Sequence, residues 1–126
     1  MRTKGEIEAA MSEEFNRFEQ DYMGRVPKDI HVCLSDDLIL IRLRGVLSAA
    51  EENLVKSLPV EKGRDLVKLT RCHLLETTRP VMEAMVEKLT GVKVLSLHHD
   101  ISTVTGERVI VFTLAGSPDV LDATME

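Results

Sequence analysis

The chain has 126 residues, 44% of them hydrophobic, and a formal net charge of −5. These values predict one domain with a single core and argue against attraction to DNA, RNA or acidic lipid. With no Trp, one Tyr and three Phe, the core must be aliphatic, and a base-stacking nucleic-acid platform is excluded because it needs exposed aromatic rings.

The first predicted elements are a helix and a β-hairpin. The apolar residues that recur with helical spacing are Ile7, Met11, Phe15, Phe18 and Tyr22. Polar residues, Glu19 among them, are expected on the other face, and Gly24 and Pro27 are placed to end the helix. Ile30–Leu34 and Leu38–Leu43 are aliphatic segments joined by a short polar turn, which predicts two antiparallel strands.

The rest of the chain predicts two further helices and a second hairpin. The sequence Ser48-Ala49-Ala50-Glu51 is a capping box that opens a short helix. A longer helix is expected from about Glu61 to Thr90, and Pro80 inside it predicts a kink or a junction of two helices. Its expected core face consists of Leu66, Leu69, His73, Thr77, Pro80, Ala84 and Leu89. Val92–Ser102 and Glu107–Leu114 then predict the second pair of strands.

The element order α-ββ-α-α-ββ predicts the fold class. We expect an α+β two-layer sandwich, in which helices cover one face of a four-stranded, mainly antiparallel sheet. Residues 1–116 form the single domain, and 117–126 form a short acidic C-terminal tail. Because nothing in the sequence covers the second face of the sheet, a second subunit is the simplest cover, and we predict a homodimer.

Basic side chains in the middle of the chain are candidates for anion binding. Arg42 and Arg44 lie two residues apart on one face of the second predicted strand, and Arg25 precedes the hairpin. A second candidate group lies along the long helix and consists of Arg64, Lys68, Arg71 and Arg79. Guanidinium groups suit phosphate or carboxylate ligands. The alternative interpretation is that these side chains are solvated or pair with the acidic segments on either side.

The sequence His98-His99-Asp100 is typical of a metal or acid–base cluster, but strand geometry restricts it. His98 and His99 point to opposite faces of a strand, whereas His98 and Asp100 share one. With a third ligand, this pair would hold zinc, or Asp100 would orient His98 as a base. The alternative is a cross-strand polar pair. Cys33 and Cys72 are too few for a disulfide framework or a thiolate zinc site. We predict no metal and no cofactor.

Several segments together resemble the MpsC-like family of small bacterial proteins. They are Tyr22–Lys28, Leu40–Ser48, Arg79-Pro80, Gly91–Val94, Ser96–Thr103, Thr105–Glu107 and Val109–Phe112. That family is named for a proposed sodium-translocating, membrane-potential-generating system linked to bicarbonate or CO2 supply. The polar positions that match are Arg25, Arg44, Arg79, His98 and Asp100. The family's first motif has a second glycine where this chain has Val26.

Together, the residues and the resemblance predict a non-enzymatic accessory or regulatory protein of an ion or inorganic-carbon uptake system. It would bind a small anion through Arg25, Arg42, Arg44 and Arg79. The alternative is a small-molecule enzyme or metal-binding protein that uses His98 and Asp100 at a subunit interface. The longest apolar runs have four residues, too short to span a membrane. We therefore expect a cytoplasmic protein that reaches the inner face of the membrane only through a membrane transport protein partner, and no nucleic-acid ligand.

Overall fold

The structure is a computed structural model, and it describes residues 2–120. Its elements are α1 (Lys4–Phe18, continued by a π-helical turn over Glu19–Met23), β1 (Asp29–Ser35), β2 (Leu38–Arg44), α2 (Ala49–Ser57), α3 (Val60–Thr90), β3 (Val94–Ile101) and β4 (Arg108–Leu114). The predicted element order and the α+β class are confirmed. Residues 121–126, which belong to the predicted acidic tail, lie outside the described residues.

Capping residues set the starts of two helices. The side chain of Thr3 accepts a hydrogen bond from the backbone N–H of Glu6, and the Glu6 side chain accepts one from the backbone N–H of Thr3. Ser48 and Glu51 make the same reciprocal pair at the start of α2, as the sequence predicts. Gly91 ends α3 in the left-handed conformation, with φ at 72°.

The end of α1 departs from the predicted pattern. Four of its predicted core residues are buried: Ile7, Met11, Phe15 and Phe18. Tyr22, however, is 47% exposed, and Glu19, expected on the polar face, is 1% exposed. The π-helical turn accommodates more residues than an α-helical turn, so it rotates the side chains after Phe18 relative to α-helical spacing. The prediction for Glu19 and Tyr22 is therefore wrong, and a carboxylate enters the core.

The sheet is antiparallel throughout and has the strand order β1-β2-β4-β3. Its covered face packs on α1 and α3. The buried apolar strand residues on that face are Val32, Leu34, Ile39, Ile41, Leu43, Ile101, Ile110, Phe112 and Leu114. In the part of the chain that the structure describes, no helix covers the other side, which we call the open face. Two rows across the open face are Cys33–Leu40–Val111–His98 and His31–Arg42–Val109–Asp100.

Helix α3 is a single helix of 31 residues, and its buried side differs from the predicted one. The buried residues are Gly63, Val67, Arg71, Leu75, Thr78, Met82 and Val86. The predicted core face is exposed from Leu66 to Ala84, so that prediction is wrong. Pro80 lies on the exposed side of α3, and the helix continues through it, so no junction of two helices forms there. Its ring removes one backbone hydrogen bond, that to the carbonyl of Glu76.

Candidate anion-binding site

A pocket of about 290 Å³ lies where three connecting segments meet at one end of the sheet. Backbone hydrogen bonds join these segments: the Lys28 N–H donates to the Arg44 carbonyl at 2.9 Å, and the Val46 N–H donates to the Gly106 carbonyl at 3.1 Å. Helix α2 forms the remaining wall. The residues that line the pocket are Arg25, Lys28, Gly45, Leu47, Glu52, Val55, Lys56, Thr103, Val104, Thr105 and Gly106.

The charge of this pocket is mainly positive. Three of its side chains are cationic (Arg25, Lys28 and Lys56), and Glu52 is the carboxylate among its lining residues. Arg25 is held against the wall because its Nη1 donates to the carbonyl of Leu47 at 2.7 Å. We call this the basic pocket. Such a concentration of positive charge, on loops fixed by the sheet, suits an anionic ligand.

Gly45 is the residue that allows the basic pocket to form. Its φ of 67° is in the left-handed region, which favours glycine. A Cβ at this position would also lie 2.7 Å from Cγ of Lys28. A side chain here would therefore strain the backbone and displace one of the three cations.

The other predicted anion-binding arginines do not join Arg25. Arg42 forms an ion pair with Glu107, and Arg44 lies 4.0 Å from a carboxylate oxygen of Asp29. Arg79 is on α3, where its Nε donates to Glu83 at 2.7 Å, and this hydrogen bond raises the pKa of Arg79. The structure thus places one predicted arginine in the basic pocket and gives each of the other three an acidic neighbour.

His98 and Asp100 share the open face, as the sequence predicts, but the Asp100 carboxylate is engaged by α3. It accepts hydrogen bonds from Lys68 Nζ at 3.0 Å and from the backbone N–H of Ile101 at 2.8 Å. These two bonds lower the pKa of Asp100. Within residues 2–120, no group of three or more His, Cys, Asp or Glu residues is arranged to hold a metal ion. An acid–base role for His98 and Asp100 stays a prediction.

A second group of charged residues lies inside the molecule, and sequence reasoning missed its burial. Glu19, Arg71 and Arg108 are 1%, 3% and 0% exposed. Arg71 donates to both carboxylate oxygens of Glu51, from Nε at 2.8 Å and from Nη2 at 2.6 Å, and Nη2 also donates to the carbonyl of Val46 at 2.6 Å. Nη2 of Arg108 contacts Glu19. We call Glu19, Glu51, Arg71 and Arg108 the buried network.

Two members of the buried network, Arg108 and Glu51, have shifted pKa values. Burial lowers the pKa of Arg108 to about 10. Burial alone would raise the pKa of Glu51, but hydrogen bonds from Arg71 and from the Ser48 backbone outweigh it, so that pKa is lowered. Glu51 therefore stays ionised at neutral pH and serves as the counterion of Arg71.

Fold and pocket define a small α+β domain with a mainly positive pocket at one end of its sheet. The family model described as "Na+-translocating membrane potential-generating system (MpsC)" matches residues 3–116, and the chain belongs to this family. A protein of Bacillus subtilis (strain 168) with the name "Uncharacterized protein YbcI" is 36% identical over 113 residues, which cover 90% of this chain and 89% of that protein. No solved structure matches the chain. None of the helices in the described part of the chain combines the length and the apolar character needed to cross a bilayer.

Proposed function

We propose that this protein is a non-enzymatic accessory or regulatory component of a sodium-translocating, membrane-potential-generating system, and that it binds a small anion in the basic pocket. Membership in the MpsC family supports the first part of the proposal. The second part rests on one observation. Three cationic side chains, those of Arg25, Lys28 and Lys56, line a pocket of about 290 Å³, and Glu52 is the carboxylate among its lining residues.

The chemistry of the basic pocket favours binding over catalysis. Arginine and lysine side chains remain protonated near neutral pH, so they attract a negative ligand and are poor proton-transfer groups there. Thr105 accepts a hydrogen bond from the Glu107 N–H at its hydroxyl oxygen, which leaves its O–H group available to a ligand. An anion of the size of bicarbonate or phosphate fits these donors. The pocket would report the level of that anion to a partner.

A second copy of the chain is the proposed cover of the open face. The row His31–Arg42–Val109–Asp100 has basic side chains on β1 and β2 and an acidic one on β3. A two-fold axis parallel to the strands would set β1 and β2 of one copy over β3 and β4 of the other. Leu40 would then pack on Val111, with opposite charges facing each other at the edges. A membrane transport protein would bind elsewhere on this dimer.

Backbone amide NMR on the full chain tests anion binding in the basic pocket. We expect millimolar bicarbonate or phosphate to shift the amide signals of residues 45–47 and 103–106. The variant Lys56→Met removes one pocket cation and should weaken binding about fivefold, or about 1 kcal/mol. Lys62→Met removes an exposed lysine of α3 that does not line the pocket, and should bind as the wild type does. If neither of these anions, nor a nucleotide, shifts the pocket amides, anion binding here is wrong.

A further inference from the structure

A second cavity, of about 160 Å³, lies between α3 and the strand pair β3–β4. Its lining residues are Lys68, Arg71, Cys72, Leu75, His99, Asp100, Ile101 and Arg108. It is not part of the basic pocket, because the two have no lining residue in common. An open depression, lined in part by Arg64, shares Lys68, Asp100 and Ile101 with the cavity and adjoins it on the solvent side.

Two buried arginines that line this cavity, Arg71 and Arg108, have hydrogen-bond donors without a partner. Arg108 is completely buried, and its Nη2 contacts Glu19. Its Nε and Nη1 have no hydrogen-bond partner among residues 2–120, and neither has Nη1 of Arg71. Buried donors without acceptors are rare in folded proteins because each has lost its hydrogen bonds to water without a replacement. An acceptor is therefore expected beside Arg108.

The three carboxylates near Arg71 and Arg108, those of Glu19, Glu51 and Asp100, already have basic partners within the chain. Glu51 is held by two hydrogen bonds from Arg71, and Asp100 is held by Lys68. Glu19 contacts Arg108 with one oxygen, and its second oxygen lies 4.0 Å from Arg71 Nη1. Among residues 2–120, these carboxylates therefore leave no acceptor for the remaining donors.

From this geometry we infer that the cavity binds a compact oxyanion, such as phosphate or a small carboxylate, on Arg108 and Lys68. An oxyanion offers several acceptors to the planar donors of a guanidinium group. The cavity volume of about 160 Å³ is several times the share of about 30 Å³ that one water molecule occupies in the liquid. It therefore has room for an ion larger than water. The Lys68–Asp100 ion pair lies at the exposed edge of the cavity, and the anion would take the place of Asp100 as the partner of Lys68.

The two cysteines provide a test in the unmodified protein. Cys72 lines the cavity and is exposed, whereas Cys33 lies on the open face. We expect inorganic phosphate, acetate or bicarbonate at millimolar concentration to slow alkylation of Cys72 at least about threefold, relative to sodium chloride of the same ionic strength. The rate at Cys33 should not change. If none of the three anions protects Cys72, or if both cysteines respond equally, the inference is overturned.

Two variants connect this protection to the proposed cations. Lys68→Met keeps most of the aliphatic stem and removes the charge at the edge, so the anion concentration that gives half-protection should rise about tenfold, or about 1.4 kcal/mol. Lys56→Met, in the basic pocket, should leave protection of Cys72 unchanged. Equal protection in Lys68→Met and in the wild type would contradict the inference. Because the two sites have separate lysines, failure of one proposal is distinguishable from failure of the other.

Discussion

Arg71 shows how a single charged residue can determine the arrangement of several elements. It lies on the buried side of α3 and reaches both Glu51 at the start of α2 and the carbonyl of Val46 before it. Removing water from these groups is costly, and the cost is recovered only while every partner is present. Loss of one partner therefore has a larger effect than replacement of the whole group with apolar side chains.

Replacement of Glu51 with glutamine tests this dependence. Glu51→Gln removes the nearer of the two carboxylates beside the buried Arg71, and we expect the free energy of unfolding at pH 7 to fall by about 2 kcal/mol, since Glu51 itself is partly exposed. The folded pKa of Glu51 lies below its ordinary value of 4.5. Its contribution is thus complete above pH 4.5 and disappears as the pH falls through the folded pKa. Urea unfolding at several pH values measures the difference.

Glu13→Gln is the matched control for the Glu51 substitution. Glu13 is an exposed glutamate on α1, 3.8 Å from Arg17, and exposed pairs of this kind contribute about 0–1 kcal/mol. If Glu51→Gln lowers the free energy of unfolding by the same amount at acidic and at neutral pH, the ionised carboxylate is not what stabilises Arg71.

Part of the buried network was readable from the sequence. Arg71 lies four residues from both Val67 and Leu75, and Arg108 starts the alternation that continues through Ile110 and Phe112. Both positions have the spacing of core residues, but a charged side chain is normally assigned to the surface. Glu19 was not readable, because its burial depends on the π-helical turn.

At the scale of elements, the contact between α2 and α3 depends on a glycine. A Cβ at Gly63 would lie 2.8 Å from the carbonyl oxygen of Leu54 and 2.9 Å from Cα of Val55, both backbone atoms of α2. We expect Gly63→Ala to push the two helices apart and to lower the free energy of unfolding by about 1–3 kcal/mol. Thermal or urea unfolding gives this value.

A second helical glycine provides the comparison. A Cβ at Gly5 in α1 would meet nothing within 4 Å, so Gly5→Ala should stabilise the protein by up to about 1 kcal/mol through better helix propensity. If Gly63→Ala were as stable as Gly5→Ala, the close approach of α2 and α3 would not matter for stability.

The elements themselves were largely predictable, and the side that α3 buries was not. Helix α1 and both hairpins carry clear periodic patterns, so their place in the chain is confirmed. Helix α3 has two stripes with helical spacing, and the one with Leu66 and Leu69 is exposed. The buried stripe includes Arg71 and Thr78. Because charged and polar residues are normally assigned to the surface, the sequence did not identify this stripe as the core face. The basic pocket was only partly predictable, since Arg25, Lys28 and Lys56 are brought together by tertiary structure.

For the whole molecule, the proposed dimer predicts a change in mass. Light scattering should give twice the 14.1 kDa of one chain for the wild type. Leu40→Arg places a charge in the apolar row Cys33–Leu40–Val111 of the open face. Burying this charge against the second copy is unfavourable, so the variant should have the mass of one chain.

Leu69→Arg is the control for the dimer surface. Leu69 is 58% exposed on the outer side of α3, away from the open face, and its replacement should leave the mass of the wild type unchanged. A wild type that is monomeric at every concentration would refute the dimer. Dissociation by Leu69→Arg and not by Leu40→Arg would assign the contact to α3 instead.

The position of β4 between β2 and β3 has a consequence for synthesis on the ribosome. Among the described strands, β4 emerges last, yet both of its neighbours need it to complete their hydrogen bonds. It also carries Arg108, the nearer of the two arginines beside the buried Glu19. A nascent chain therefore holds β1, β2 and the helices with an unfilled edge, and the domain closes only when β4 has left the exit tunnel. Until then the edge of β2 is unpaired and open to pairing with strands of neighbouring chains.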